Sequence, residues 1–103
     1  MPSATDLSNM KRLLGEIDQA NRRIADHNKR IASENVTIAR KTQEKHQVAG
    51  RQQTSGTASQ LRSIQSTIDQ CHRNNAGHSQ RIAQEQATIA RKTAEYNRYA
   101  AKP

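Results

Sequence analysis

The side chains able to move a proton, hold a metal or attack a substrate are few: four histidines, one cysteine and nine carboxylates. His27 and His78 are the pair to weigh first, because the helical register developed below brings them to one level. There they can form a pH-sensitive or metal-binding layer, or a hydrogen-bonded polar layer that sets register, as buried Asn does in coiled coils. His46 and His72 have no matching partners and read as solvated. Cys71 has no second cysteine for an intramolecular bridge and no zinc-ligand spacing. It reads as a small residue facing a helical seam, with an intermolecular bridge as the alternative. No Gly-rich phosphate loop, nucleophile motif or metal-ligand cluster is legible, so the expectation is a protein that is not an enzyme and needs no cofactor.

Basic residues are the other chemical resource. The chain carries a net charge of +8 and has a pI near 10.4. Arg40, Lys41, Arg91 and Lys92 lie in two copies of the hexapeptide "TIARKT", at 37–42 and 88–93, and are candidate anion contacts on a solvated shoulder. Such a balance fits nucleic acid or acidic partners. The charges are mixed with Glu and Gln, however, and aromatic residues make up only 2% of the chain, so no platform for stacking bases is evident.

Positioning these residues requires long helices. The chain of 103 residues has 32% apolar content and neither Phe nor Trp, too little to fill a thick core. Sliding the sequence by 51 positions superposes far more than the hexapeptide: "IDQ" 17–19 on 68–70, "RIA" 30–32 on 81–83, His27 on His78, Glu34 on Glu85 and Glu44 on Glu95. The chain is a tandem duplication of one unit. Each copy carries a column of period seven: Met10, Ile17, Ile24, Ile31 and Ile38, then Leu61, Ile68, Ile82, Ile89 and Tyr96, with Asn75 interrupting. That period is a coiled-coil seam and excludes strands. Alanines follow the column at 25, 32, 39, 76, 83 and 90, where they would let a partner helix approach.

The spacing predicts helix 1 over about residues 4–48, a loop over about 49–56 and helix 2 over about 57–100, forming one module. "TASQ" at 57–60 has the form of a capping box, and Gly50 is a plausible stop for the first helix. Gly77 weakens helix 2, which is expected to stay continuous. A short loop makes the helices antiparallel neighbours. With the turn centred on residue 53, Met10 faces Tyr96, Ile17 faces Ile89, Ile24 faces Ile82, Ile31 faces Asn75 and Ile38 faces Ile68. Asn21, Asn28 and Asn35 lie between the isoleucine layers. Asn28, His27 and His78 are the expected polar register layer.

The fold class is therefore all-α: an antiparallel helical hairpin of two long heptad-bearing helices, assembling into a four-helix bundle or coiled coil. One Ile layer per heptad, at ~1.5–3 kcal/mol for each buried Ile, barely offsets chain entropy. A partner covering the alanines with Leu13, Leu14, Val36 and Ile64 is required, and the simplest partner is a second copy; other coiled-coil chains also qualify. No apolar run suits a membrane span or a signal peptide, and the lone cysteine suits a reducing cytoplasm.

The pattern "RIAxExxTIARKT", with the ending "KTAEYNRYAAKP", resembles the N-terminal helical region of bacterial Toll/interleukin-1 receptor (TIR) domain proteins. That resemblance spans nearly the whole chain. It implies an assembly module preceding an effector domain, with NAD cleavage belonging to the TIR domain and no catalytic residue carried here. The function expected is oligomerisation or scaffolding, either alone or as a segment of a larger signalling or defence protein; the alternative is a small basic nucleic-acid-binding protein.

Overall fold

A computed structural model describes all residues, 1–103. It contains two helices and no strands: α1, Ala4–Ala49, and α2, Ser55–Ala100, 46 residues each. They form an antiparallel helical hairpin, and α2 runs through Gly77 without a break.

Both helices begin in the same way. In α1 the Asp6 N–H donates to Ser3 Oγ at 3.1 Å and the Ser3 N–H donates to Asp6 Oδ2 at 3.0 Å, a reciprocal cap that satisfies free donors at both residues. In α2 the equivalent positions, 51 residues on, repeat it: the Thr57 N–H donates to Thr54 Oγ1 at 3.2 Å and the Thr54 N–H to Thr57 Oγ1 at 2.6 Å. The cap thus lies three residues before the expected Thr57–Gln60 box, and α2 starts at Ser55. Gly50 follows the last residue of α1 but keeps a negative φ. The end of α1 is held instead by Gln53, whose Nε2 donates to the carbonyls of Ala49 and Arg51, both at 3.0 Å.

The chain comprises two compact units. A terminal unit joins Met1–His27 to Gln80–Pro103, and a loop-side unit comprises Asn28–Ser79. The duplication maps one onto the other, with residues 1–27 corresponding to 52–78 and residues 80–103 to 29–52. Each unit therefore packs the first half of one copy against the second half of the other.

In the loop-side unit Val48, Ile64 and Ile68 form a buried cluster, with Ile38 and Leu61 packed against it. Ile38 packs against the cluster that holds Ile68. The bonds between the helices, Arg23 to Glu85, Lys92 to Glu16 and Asn75 to Asn35 among them, nevertheless fall in a register shifted from the one expected for a turn centred on residue 53. The isoleucines of the two columns therefore do not face each other pair by pair as expected. Cys71 is buried in the same unit as a free thiol. In the terminal unit Leu13 and Ala20 are fully buried, while Met10, Ile17, Ile24, Ile82, Ile89 and Tyr96 are half-buried.

Candidate interaction surfaces

Burial along α1 recurs in two columns. One is the expected series Met10, Ile17, Ile24, Ile31, Ile38. The other, three residues on, is Asp6, Leu13, Ala20, His27, Glu34, Lys41, Val48. Helix α2 repeats the pair, its second column being Ile64, Cys71, His78, Glu85, Lys92, Tyr99. With the isoleucines at heptad position a, the second column occupies d. Both columns are needed to make a seam of alternating three- and four-residue steps.

This column corrects several expectations. Alanines 25, 32, 39, 76, 83 and 90 sit at b and are exposed, since one residue turns a helix by about 100°. Asn28, at e, is also exposed and belongs to no buried polar layer. Lys41 and Lys92 are half-buried at d and are not a solvated shoulder, whereas Arg40 and Arg91 are exposed as expected. Leu13 and Ile64 are covered within the hairpin itself. His27 and His78 are half-buried at d, one in each unit, and His46 and His72 are exposed.

Charged d residues other than Lys41 are matched by residues at g of the facing segment. In the terminal unit the Arg23 guanidinium donates two bonds to Glu85, Nε to Oε1 and Nη2 to Oε2, each 3.0 Å. Lys92 Nζ reaches Glu16 Oε2 at 2.7 Å, and Lys102 Nζ reaches Asp6 Oδ1 at 2.9 Å. These contacts hold three carboxyls below their ordinary range. For Asp6 the chief cause is the Ser3 backbone N–H, followed by Lys102. For Glu16 it is Lys92, then Arg12. For Glu85 it is Arg23.

The loop-side unit carries the same positions with different residues. Asn74, the equivalent of Arg23, donates to Glu34 at a long 3.4 Å. Asn75, expected opposite Ile31, donates to Asn35 Oδ1 at 3.0 Å, one turn further along, while its own Oδ1 is buried without a partner. Glu34 also pushes the Cys71 thiol up, chiefly by hydrogen bonding and then together with burial. Lys45, at a, ends on Gln65 Oε1 at 2.7 Å.

Lys41 pairs within its own helix, with Glu44 at 3.2 Å. Beside it is a half-open hollow of about 120 Å³ lined by Lys41, Glu44, Gln60, Ser63, Ile64 and Thr67. Its origin is legible in the duplication. Ser63 and Thr67 stand where the other copy has Arg12 and Glu16, the two long side chains bonded to each other at 3.0 Å with Glu16 also on Lys92. Truncating both leaves the space empty.

Outside the seam, charge is segregated by column. Position e carries no Asp, Glu, Lys or Arg in either helix, and b carries only Lys11, Arg62, Asp18 and Asp69. Within the helices positions c, f and g together hold ten cations and four carboxylates, while the a/d seam is balanced at three of each. On a helix e and b adjoin a, whereas g and c adjoin d. In each unit the bonds from g reach d, so the g positions of both helices share one flank. The b/e flank is therefore balanced, the c/g flank carries seven arginines against four carboxylates, and the f column between them adds Arg22, Lys29 and Arg73. The neutral flank bears Leu7 and Leu14, 55% and 52% exposed, in the terminal unit. Val36, 63% exposed, lies at f beside this flank in the loop-side unit.

No three or more His, Cys, Asp or Glu side chains converge to hold a metal ion, and no helix is long and apolar enough to cross a membrane. Comparison with protein-family models, with curated proteins and with solved structures finds no match.

Proposed function

We infer that this chain is an oligomerisation or scaffolding module whose neutral b/e flank docks a second copy of itself, giving a four-helix bundle. The observation that carries the reading is the e column: fourteen helical positions without one formal charge, in a chain where 25% of residues are charged. Identical molecules present identical potentials, so two copies of net charge +8 repel wherever their basic flanks meet. The balanced b/e face avoids that repulsion. Leu7 and Leu14 supply apolar area there, and the small b-position alanines allow helices to approach closely.

Energetics support the same reading. Only six apolar residues are buried, four of them in the loop-side unit. A thin seam gains from association, since anything that binds the folded state alone stabilises it by mass action. The assembly would operate in a reducing cytoplasm, as part of a larger signalling or defence protein in the way the TIR-associated resemblance implies.

Light scattering or sedimentation at moderate salt tests the reading. A dimer or higher oligomer is the expected result. A helical monomer at every concentration overturns it.

A further inference from the structure

The net charge has an address. Within the helices the seam and the b/e flank each balance, and the whole surplus lies on the c, f and g columns. All ten cations of those columns are exposed, and nine of the ten are arginines. Arginine presents a planar fork that matches phosphate oxygens in a bidentate manner and is less strongly hydrated than lysine. Some of these cations are engaged: Arg12 with Glu16, Arg22 with Asp18 and Arg23 with Glu85. Arg40, Arg81, Arg91 and Arg98 enter none of the ion pairs. Arg81, Arg91 and Arg98 follow one another on α2 in the terminal unit, at axial steps of about 15 and 10 Å.

We propose that this arginine-rich c/g flank binds the phosphate backbone of double-helical nucleic acid, by charge and without reading sequence. The duplex is favoured over single strands by what the flank lacks. Single-strand binders stack bases on aromatic side chains. The only aromatic residues here, Tyr96 and Tyr99, lie half-buried in the seam columns, and the Tyr99 ring is covered by Lys102 Nζ at 5.0 Å from its centroid, so neither offers a free stacking face. A duplex asks for no stacking surface, and it presents one charge per ~1.7 Å of axis to a line of cations. This binding uses the side opposite the neutral flank, so it does not depend on the self-docking reading.

The test is a matched pair of variants of the full chain, each removing two positive charges. Arg91→Gln with Arg98→Gln strips the proposed flank; Lys11→Gln with Arg62→Gln strips the opposite one. Circular dichroism verifies helicity for both. Fluorescence anisotropy then follows a mixed-sequence duplex over 50–200 mM salt. The parent protein is expected to bind with a steep salt dependence. The flank variant should bind more weakly, with a slope of log K against log salt shallower by about 1.8, two contacts at ~0.9 each. The control variant should keep the parental slope. Equal losses in both variants would show a bulk-charge effect and overturn the proposal. So would absence of duplex binding at 50 mM salt, tighter binding to a single strand of the same sequence, or binding to phosphatidylserine-containing vesicles but not to duplex.

Discussion

Arg23 holds Glu85 through two parallel hydrogen bonds of 3.0 Å, closing the two helices of the terminal unit on one side of the seam. Fifty-one residues along, the same two positions are Asn74 and Glu34, joined by a single bond of 3.4 Å. The duplicated units thus share a plan and differ in how tightly it is executed. A bidentate pair between two ions is stronger than one long bond from a neutral amide to a carboxylate, so the terminal unit leans on ions where the loop-side unit leans on Val48, Ile64 and Ile68.

That difference is repairable by substitution. Asn74→Arg should recreate against Glu34 the clamp seen at Arg23, and Thr67→Glu should place a carboxylate across the hollow from Lys41, as Glu16 stands to Lys92. Each is expected to raise thermal stability by up to ~1 kcal/mol, the range for such partly exposed pairs. The midpoint of a melt followed by circular dichroism checks it. A gain that disappears when Lys41→Gln accompanies Thr67→Glu identifies the ion pair as its source.

Acid should loosen the terminal unit first. Asp6, Glu16 and Glu85 all have folded pKa values below their ordinary ones. A depressed carboxyl contributes stability that is fully present above its unfolded pKa and is lost as pH falls through the folded value. The window therefore opens below the ordinary values of 3.8 for Asp6 and 4.5 for the glutamates. Amide exchange pulses at falling pH should show protection lost around Leu13 and Ala20 before it is lost around Ile64 and Ile68. The reverse order would assign the acid sensitivity elsewhere.

Neighbouring leucines separate folding from assembly. Leu13 is fully buried, and Leu13→Ala is expected to cost about 2–5 kcal/mol and to lower helicity directly. Leu14 and Leu7 point outward. Leu14→Lys with Leu7→Lys should leave the helical spectrum of the folded hairpin in place while shifting sedimentation toward the monomer. Ile24→Asp with Ile82→Asp, both on the seam, should abolish helicity and assembly together.

Cys71 offers a probe that needs no substitution. Its thiol is buried and pushed up by Glu34, and the thiolate is the reactive form. A disulfide reagent at neutral pH is expected to label it only as fast as the helices part, with labelling accelerated by denaturant. Immediate labelling in native buffer would contradict a closed seam at that level.

The amino-acid sequence by itself determined the helices, the duplication, the hairpin and the a column, because Ile at every seventh position is a repeating apolar signal that one strand or a compact core cannot use. Cys71 as a seam residue was legible for a different reason, the tendency of a free cysteine to be buried. What only the tertiary structure decided was the second column. Its members are Asp, Leu, Ala, His, Glu, Lys and Val in α1, a mixture with no hydrophobic period, so apolar patterning passes over it; the three-and-four step from each isoleucine was the signal that locates it. The alanine column, equally regular and small, is turned about 100° from the isoleucines and stays exposed in the hairpin. Lys41 and Lys92 looked solvated because lysine usually is. They face inward because the d position is set by helix geometry, and their charge is accommodated by a carboxylate in the neighbouring turn, on Glu44, or across the seam, on Glu16. Side-chain identity chose the helices, and the facing of one helix on another chose which polar side chains meet.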